Sequence, residues 1–327
     1  MKLRLTALAL AGCLAFSGGA FAQRMVRREG PPPRPFARSE MASPSTEVPM
    51  LPGEDVVLEV KIDGQGPYRF GLDTGGAGGG RISKTLAETL KLKAIGQVMG
   101  GDPSGKNVQT LEVVEAGALS VGGATWSGVH LVVRDLSHRN IDGILGFGLF
   151  EELLLTLDYP ARRVRIEKGE LPPADGREVL AFEDPHGVPQ IRLKIGDLEI
   201  PADVDSGNVN GEIVLPGSYL DKVPLESEPK VVGRGRTGFN EFEIKQAPLK
   251  GSVQVGAVTI DRPRIDFIEI FPQANVGQVF LRRFAVTIDQ KNNRIRFKPP
   301  ASTASGALSP NLPSPPSRSE NILSIAG

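Results

Sequence analysis

Two aspartates, each followed by a small hydroxyl residue and a glycine, are the residues of this sequence best suited to chemistry. Asp73-Thr74-Gly75 ends an extended, partly apolar segment, and Asp205-Ser206-Gly207 ends another such segment 132 positions later. One tripeptide of this type arises often by chance, so the second copy gives the first its weight. If Asp73 and Asp205 meet in space, the two carboxyl groups cannot both ionise comfortably. The pair would then share one proton and supply an acid and a base together.

The elements around these aspartates form an internal duplication. The segment Leu58 to Ile62 matches Ile191 to Ile195 at an offset of 133 positions. Further matches at offsets of 131 to 134 are Val121-Gly122 with Val255-Gly256, Gly146 with Gly277, Thr156 to Asp158 with Thr287 to Asp289, and Arg163 to Ile166 with Arg294 to Phe297. Two copies are too few for a solenoid, so they predict two lobes related by a pseudo-two-fold axis, with a cleft between them.

Short strands dominate each copy. The 327 residues include 39 glycines and 27 prolines, which favours a turn-rich β protein. Val56 to Ile62 and Tyr68 to Leu72 predict an antiparallel hairpin that places Asp73 at the end of its second strand. We therefore predict an all-β fold with an N-terminal lobe at residues 55–170, a connection at 171–187 and a C-terminal lobe at 188–298.

Two smaller features complete the first lobe. Ser83 is typical of a helix N-cap, and Leu86, Leu90 and Leu92 form an apolar stripe after it. Val98 to Gly105 is a glycine-rich hairpin tip, for which a mobile flap and an ordinary exposed hairpin are equally good interpretations.

The N-terminus predicts export. Residues 1–22 combine Lys2 and Arg4, an apolar run from Leu5 to Phe16 and a small-residue cleavage site at Ala20-Phe21-Ala22. We expect a periplasmic or secreted protein. The alternative is a lipoprotein anchored at Cys13, because Leu10-Ala11-Gly12-Cys13 resembles a lipoprotein signal. Cleavage after Ala22 would remove the only cysteine, and with it any thiol chemistry.

The remaining composition narrows the classes of partner. Residues 23–54 are rich in proline and arginine and predict a linker, either a spacer or an inhibitory pro-segment, with proline-rich disorder favouring the spacer. Residues 299–327 predict a disordered tail. The formal net charge of zero gives no reason to expect nucleic acid, and no later apolar stretch is long enough for a membrane span. His130, His138 and His186 lack metal-ligand spacing, so we expect no metal and no cofactor.

In each copy an apolar segment that begins 71 positions after the aspartate runs into a glycine: Ile144-Leu145-Gly146 and Val276-Gly277. Over residues 55–298 the sequence thus resembles the aspartic proteases, most closely the retropepsin-like bacterial proteases fused in tandem. The resemblance implies two acid-protease-type β-barrel lobes with Asp73 and Asp205 as the catalytic pair, without assigning which starts as base. It also implies supporting roles for Thr74, Gly75, Ser206 and Gly207, the two hydroxyls forming hydrogen bonds across the lobes.

Two departures from the family pattern stand out. The residue after each motif is usually small, whereas here Gly76 begins a glycine run that predicts a loose loop, and Asn208 adds an amide. The amide could perturb the pair or contact substrate. The candidate flap also lacks the tyrosine of pepsins, which places the chain nearer the retropepsins. We expect Gly100, Gly101 and Asn208 to contact substrate.

The resemblance implies an aspartic endopeptidase that acts on peptides or unfolded proteins, as a monomer. The alternative is a catalytically weak or inactive relative that binds peptides or proteins in the same cleft. A third interpretation is a homodimer in which each lobe pairs with its counterpart in another chain.

Overall fold

The computed structural model describes residues 34–53, 56–300 and 323–324, which are built almost entirely from strands. Two short helices, α1 (Lys84–Thr89) and α2 (Gln278–Leu281), accompany them. The all-β prediction is therefore confirmed. Within the described residues, no helix has the length and apolar character needed to cross a bilayer. The predicted signal at 1–22, Cys13, the first part of the linker and most of the tail lie outside the described residues.

The strands of the first copy and its N-terminal extension are, in chain order, β1 (Arg38–Met41), β2 (Ser45–Pro49), β3 (Val57–Ile62), β4 (Gln65–Asp73), β5 (Gly80–Ser83), β6 (Lys93–Gly100), β7 (Gln109–Val121), β8 (Ala124–Arg134), β9 (Gly143–Gly146), β10 (Leu154–Asp158) and β11 (Arg163–Glu167). Six of them form a closed barrel in the order β7-β3-β4-β9-β5-β8, which the pairing of β8 with β7 completes. The fully buried Leu58, Val60 and Ile62 alternate along β3 and point into this barrel's core.

The second copy continues with β12 (Val179–Ala181), β13 (Gln190–Ile195), β14 (Leu198–Val204), β15 (Ile213–Pro216), β16 (Lys230–Arg236), β17 (Glu241–Pro248), β18 (Ser252–Val255), β19 (Val258–Asp261), β20 (Arg264–Ile268), β21 (Ala274–Val276), β22 (Ala285–Asp289), β23 (Arg294–Lys298) and β24 (Leu323–Ser324). The order β18-β13-β14-β21-β15-β20 repeats that of the first lobe strand for strand. The described pairings leave this second sheet open.

A third sheet joins the lobes, in the order β12-β23-β22-β10-β11-β2. Its central pair, β10 and β22, is antiparallel and sets Thr156 opposite Thr287, whose buried Oγ1 atoms are 3.0 Å apart. These two threonines occupy matching positions in the two sequence copies. A segment that pairs with its own repeat in this way places the pseudo-two-fold axis between the two residues.

The predicted linker is wrong where the structure describes it. β1 pairs with β8 and β2 pairs with β11, so both strands extend the sheets of the fold. Phe36 and Met50 flank these strands and are buried, which anchors a segment whose other side chains are mostly polar. Edge strands tolerate prolines and charges, so composition misled the prediction. In the predicted tail, β24 pairs in parallel with β16.

Local sequence explains how Asp73 reaches its position. Asp63 and Gly64 both have positive φ, at 49° and 77°, which is the backbone a tight two-residue hairpin turn requires. This turn joins β3 to β4, and β4 ends at Asp73. Beyond the loop, the Ser83 Oγ accepts a hydrogen bond from the Leu86 N–H at 3.1 Å and caps α1, as predicted.

Candidate active site

Asp73 and Asp205 meet at the junction of the lobes. Both are buried, with 2% of each residue exposed, and they lie close enough together that the charge of Asp73 raises the pKa of Asp205. Each carboxylate is also held by its own loop: the Gly75 N–H donates to Asp73 Oδ1 at 2.9 Å and the Gly207 N–H donates to Asp205 Oδ1 at 2.7 Å. Both aspartates come from one chain, so this site needs no second copy.

Gly75 permits the close approach. A Cβ atom at this position would lie 2.5 Å from the Cγ of Asp205, far inside van der Waals contact. Any side chain there would push the second carboxyl away from the first. The glycine of the first motif is therefore a steric requirement of the pair, not only a flexible turn residue.

Thr74 and Ser206 lock the two loops together. The Thr74 N–H donates to Ser206 Oγ at 2.9 Å, and the Ser206 N–H donates to Thr74 Oγ1 at 3.0 Å. Each hydroxyl in turn donates across the lobes, from Thr74 to the carbonyl oxygen of Val204 at 2.6 Å and from Ser206 to that of Leu72 at 2.8 Å. All four bonds are buried, so the motif hydroxyls fix the loops against each other.

The glycine run after Asp73 is confined, contrary to the loose loop that the sequence predicts. The Phe147 N–H donates to the Gly76 carbonyl at 2.8 Å, and a side chain at Gly80, where φ is 129°, would strike the carbonyl oxygen of Ile144. The segment 144–148 thus passes directly over the run. These glycines are needed because backbone packs on backbone here.

A cation lies beside Asp73. The Nη1 atom of Arg81 is 3.9 Å from Asp73 Oδ2, and the Arg81 side chain is 15% exposed. Gly76 leaves the room for it, because a Cβ at that position would collide with the guanidinium. Asp205 instead accepts a hydrogen bond from the amide of Asn275, with Nδ2 at 2.7 Å from Oδ2.

These surroundings affect the pKa values of the two carboxyl groups differently. Burial raises the pKa of Asp205, and the charge of Asp73 raises it further, well above the ordinary value for an aspartate. Burial also raises the pKa of Asp73, but the positive charges of Arg81 and Arg139 oppose that rise. The positive charge beside Asp73 therefore favours the state in which Asp73 is ionised and Asp205 carries the shared proton.

Asn208 does not contact substrate as predicted. It is fully buried, its side-chain amide donates to Asn275 Oδ1 at 2.9 Å, and its side-chain oxygen accepts from the Gly211 N–H at 3.0 Å. Its backbone N–H donates to Asp205 Oδ1 at 3.0 Å. Asn208 therefore orients Asn275 and Asp205 from behind, because its hydrogen-bonding groups are used within the lobe.

A cavity of about 380 Å³ opens beside the pair, with Asp205 in its lining. Gly75, Arg81 and Asp205 border it on the catalytic side, and Gly101 lines it from the predicted hairpin tip. Gly100 instead packs against Leu111 and Phe239, so only one of the two flap glycines faces the cavity. The second lobe contributes an apolar patch of Val188, Val214 and Phe271 together with polar residues that include His186, Asp203 and Gln273.

Two hairpins cover the cleft and meet at their tips. Flap 1 is the β6–β7 hairpin with tip residues 101–108, and flap 2 is the β16–β17 hairpin with tip residues 237–240. Buried Asp102 in flap 1 accepts hydrogen bonds from Thr237 Oγ1 at 2.5 Å and Asn240 Nδ2 at 2.8 Å in flap 2. The sequence predicted neither flap 2 nor this contact. Of the two interpretations of Val98 to Gly105, the ordinary exposed hairpin does not fit, because its tip is bonded to flap 2.

Sequence reasoning also missed Arg81, Asn275, Asp203 and His186. Arg81 and Asn275 flank the pair, while Asp203 and His186 line the cavity. For Arg81 and Asn275, a comparison of the two sequence copies could have identified the residue. In the aligned copies Arg81 corresponds to Val214 and Asn275 to Ile144, so each is a polar residue where the other copy has an apolar one.

Comparisons with known proteins support the protease resemblance of the first lobe. Residues 58–149 match the family model described as aspartyl protease, a stretch that runs from β3 past β9 and includes both Asp73 and Gly146. A search among curated proteins gave no match. The first lobe is thus similar to the aspartyl proteases over residues 58–149.

Proposed function

We propose that this protein is an exported aspartic endopeptidase that hydrolyses peptide bonds with a water molecule activated between Asp73 and Asp205. The observation that carries the proposal is the pair itself: two buried carboxyl groups, one from each lobe, lie close together on loops that Thr74 and Ser206 join, and Asp205 borders a cleft. The family match covers only the first of the two aspartates. The role of Asp205 rests on the geometry.

The arrangement suggests a division of labour. Ionised Asp73 accepts a proton from a water molecule, whose oxygen attacks the carbon of the scissile carbonyl, while Asp205 donates its proton to the carbonyl oxygen. The resulting gem-diol is neutral. Asp73 then donates its proton to the leaving nitrogen, Asp205 takes a proton from one hydroxyl, and the carbon–nitrogen bond breaks. Both carboxyl groups return to their starting states.

The surroundings serve these steps. The cross-lobe hydrogen bonds of Thr74 and Ser206 hold the carboxyl groups in place, which preserves the geometry between turnovers. The joined flap tips limit access of water to the cavity, where electrostatic interactions are stronger than in open solvent. A substrate enters as an extended chain, so unfolded proteins and peptides are the expected class.

The test is cleavage of an acid-unfolded protein between pH 3 and 7 by wild type, Asp73→Asn and Asp205→Asn. We expect wild type to cleave and each variant to lose about 10³-fold or more in rate, because either change removes a proton acceptor or donor. Asp197→Asn is the matched control, since this exposed turn residue lies in the second lobe away from the pair. Equal cleavage by all four proteins would refute the two-aspartate mechanism.

The alternative, a weak or inactive relative that binds peptides in the same cleft, draws on one observation. Arg81 beside Asp73 makes that carboxylate a weaker base, which would slow proton abstraction from water. Tight peptide binding without cleavage at any pH would favour this alternative. Export is tested separately by cell fractionation and by the mature N-terminus, which is Gln23 after ordinary signal cleavage and a lipidated Cys13 in the lipoprotein case.

A further inference from the structure

A second cavity, of about 350 Å³, lies between the first lobe and flap 2. Its lining includes Lys84, Arg134, Asp135, His138 and Arg236, and these five residues define what we call the basic pocket. Thr237 and Gly238 of flap 2 also border it, whereas Gly101 and Pro103 of flap 1 border the cavity over the aspartates. The two cavities are thus both bounded by the joined flap tips.

The basic pocket carries an excess of positive charge. Asp135 is the one acidic residue in its lining, and its Oδ1 already accepts the Ser137 N–H at 3.0 Å. Arg134 stacks on the Phe239 ring, with its Cζ atom 4.0 Å from the ring centroid. Among the residues that the structure describes, neither Arg134 nor Arg236 forms an ion pair. Two guanidinium groups are therefore available to an incoming anion.

The charges in this region repel one another. Burial lowers the pKa of Arg134, and the nearby charge of Arg81 lowers it further. Burial also lowers the pKa of His138, and Arg236, Arg139 and Arg134 add to that effect against the opposing charge of Asp135. The fold therefore holds cations together at an electrostatic cost that a bound anion would relieve.

The position of the basic pocket relative to the catalytic cleft indicates which class of anion it would bind. Arg81 lines the cavity over the aspartates and is close enough to Arg134 to affect it, so positive charge continues from the catalytic cleft to the basic pocket. Across the cleft, Val214 and Phe271 offer an apolar surface instead.

We propose that the basic pocket binds an acidic side chain of the peptide substrate, so that the enzyme selects chains with a glutamate or aspartate on the first-lobe side and an apolar residue beside Val214 and Phe271. This inference rests on the proposed function of the same cleft. It assigns Arg134 and Arg236 as specificity-determining residues, because their guanidinium groups can hold a carboxylate by charge-assisted hydrogen bonds.

The experiment measures binding without cleavage, using the full-length Asp205→Asn variant and fluorescent ten-residue peptides. One glutamate is moved along an otherwise neutral, apolar sequence, and each peptide is compared with its glutamine twin by fluorescence anisotropy in low salt. We expect about tenfold tighter binding of the glutamate peptide at one or two neighbouring positions, and a smaller preference at higher salt.

Substitutions in flap 2 identify the pocket. Arg236→Gln should remove the preference for glutamate, and Arg236→Glu should reverse it in favour of a lysine peptide. Arg234→Gln is the matched control, because Arg234 lies two residues earlier on β16, is 74% exposed and faces Glu243 at 4.0 Å. It should leave the preference intact. Unchanged thermal unfolding of the Arg236 variants shows that the fold is retained.

The outcomes separate this inference from the proposed function. Selective binding of glutamate peptides by a protein whose wild type cleaves nothing would support the pocket and refute the protease. Cleavage by wild type with equal binding of glutamate and glutamine peptides would overturn the pocket alone. Binding of inorganic phosphate, or of vesicles containing phosphatidylglycerol, as tightly as the best peptide would assign the pocket to another anion and likewise overturn the inference.

Discussion

The two lobes share one backbone plan but carry different side chains at corresponding positions near the cleft. Arg81 on β5 pairs with Ile144, two residues before Gly146, and Val214 on β15 pairs with Asn275, two residues before Gly277. On the next strand of each lobe, Arg134 and Ile268 occupy corresponding positions in the register. At these two corresponding positions the first lobe carries an arginine and the second lobe an apolar residue.

This difference shows which positions the duplication left free to diverge. The residues that hold the aspartates, including Thr74 and Ser206, make nearly identical hydrogen bonds in the two lobes. Beside the aspartates, by contrast, Arg81 corresponds to Val214 and Ile144 to Asn275, so polar and apolar residues have changed places. A symmetric frame therefore positions the two carboxyl groups, and asymmetric neighbours, Arg81 beside Asp73 and Asn275 beside Asp205, give them different electrostatic surroundings.

The largest effect is expected from making the first lobe resemble the second at the catalytic pair. In Arg81→Leu, burial still raises the pKa of Asp73, but the closest opposing charge is gone. The acid limb of the pH profile of kcat/KM should therefore move up by about 1 to 3 pH units. Activity near pH 4 should fall about tenfold or more, while activity on the plateau changes less.

Arg81→Lys is the matched control, because it keeps the charge and should restore much of the acid limb. A purely structural role of Arg81 would lower the whole profile without shifting it. An Arg81→Leu profile with the wild-type acid limb would contradict the electrostatic assignment.

A smaller effect is expected from making the second lobe resemble the first. Asn275→Ile removes the amide that donates to Asp205, so the pKa of Asp205 should rise further. Activity requires the protonated form of this carboxyl, and the basic limb of the profile should therefore move up by about one pH unit. Arg81 and Asn275 thus act on opposite limbs.

Gln246→Leu serves as the control for this change. The Gln246 amide donates to Asp266 at 2.6 Å in the same lobe, away from the catalytic pair. It should leave both limbs in place. If Gln246→Leu and Asn275→Ile shift the basic limb equally, the effect comes from general loosening of the lobe and not from the hydrogen bond to Asp205.

The sequence predicted the parts of the site that steric and hydrogen-bonding requirements confine to a few residue types. Asp73 and Asp205 end matching strands, and Gly75 is required because any Cβ would strike the partner carboxyl. Constraints of this kind repeat in both copies, so the repeat itself identified them. The predicted hairpin and the Ser83 cap followed from equally local rules.

The parts that the sequence did not reveal depend on docking between distant segments. Arg81 approaches Asp73 only because the glycine run folds back, and Asp102 meets Thr237 only once the lobes have assembled. Neither contact leaves a periodic pattern. β1 and β2 were missed for a related reason, since strands added at a sheet edge need few apolar residues.

The smallest effect concerns the flaps, which also differ between the lobes: at Asp102, flap 1 supplies a carboxylate and flap 2 supplies the neutral donors Thr237 and Asn240. Burial alone would raise the pKa of Asp102, but hydrogen bonds from Ser104, Thr237 and Asn240 outweigh it and hold the pKa below its usual value. A lowered pKa means that this carboxylate stabilises the fold above about pH 4 and that the contribution is lost as pH falls through the folded-state value.

Asp102→Asn should therefore lower the free energy of unfolding at pH 7 by about 1 kcal/mol, because the new amide group opposes the donors of flap 2. The difference from wild type should shrink as the pH falls below about 4, where wild type loses the same charge. Hydrogen exchange should speed up most at residues 101–108 and 237–240, since the tips separate before the lobes unfold. Asp261→Asn, a change at an exposed position in the second lobe, controls for charge alone. Uniform acceleration across both lobes would mean that Asp102 supports the whole fold and that the joined tips are not a separate gate to the cleft.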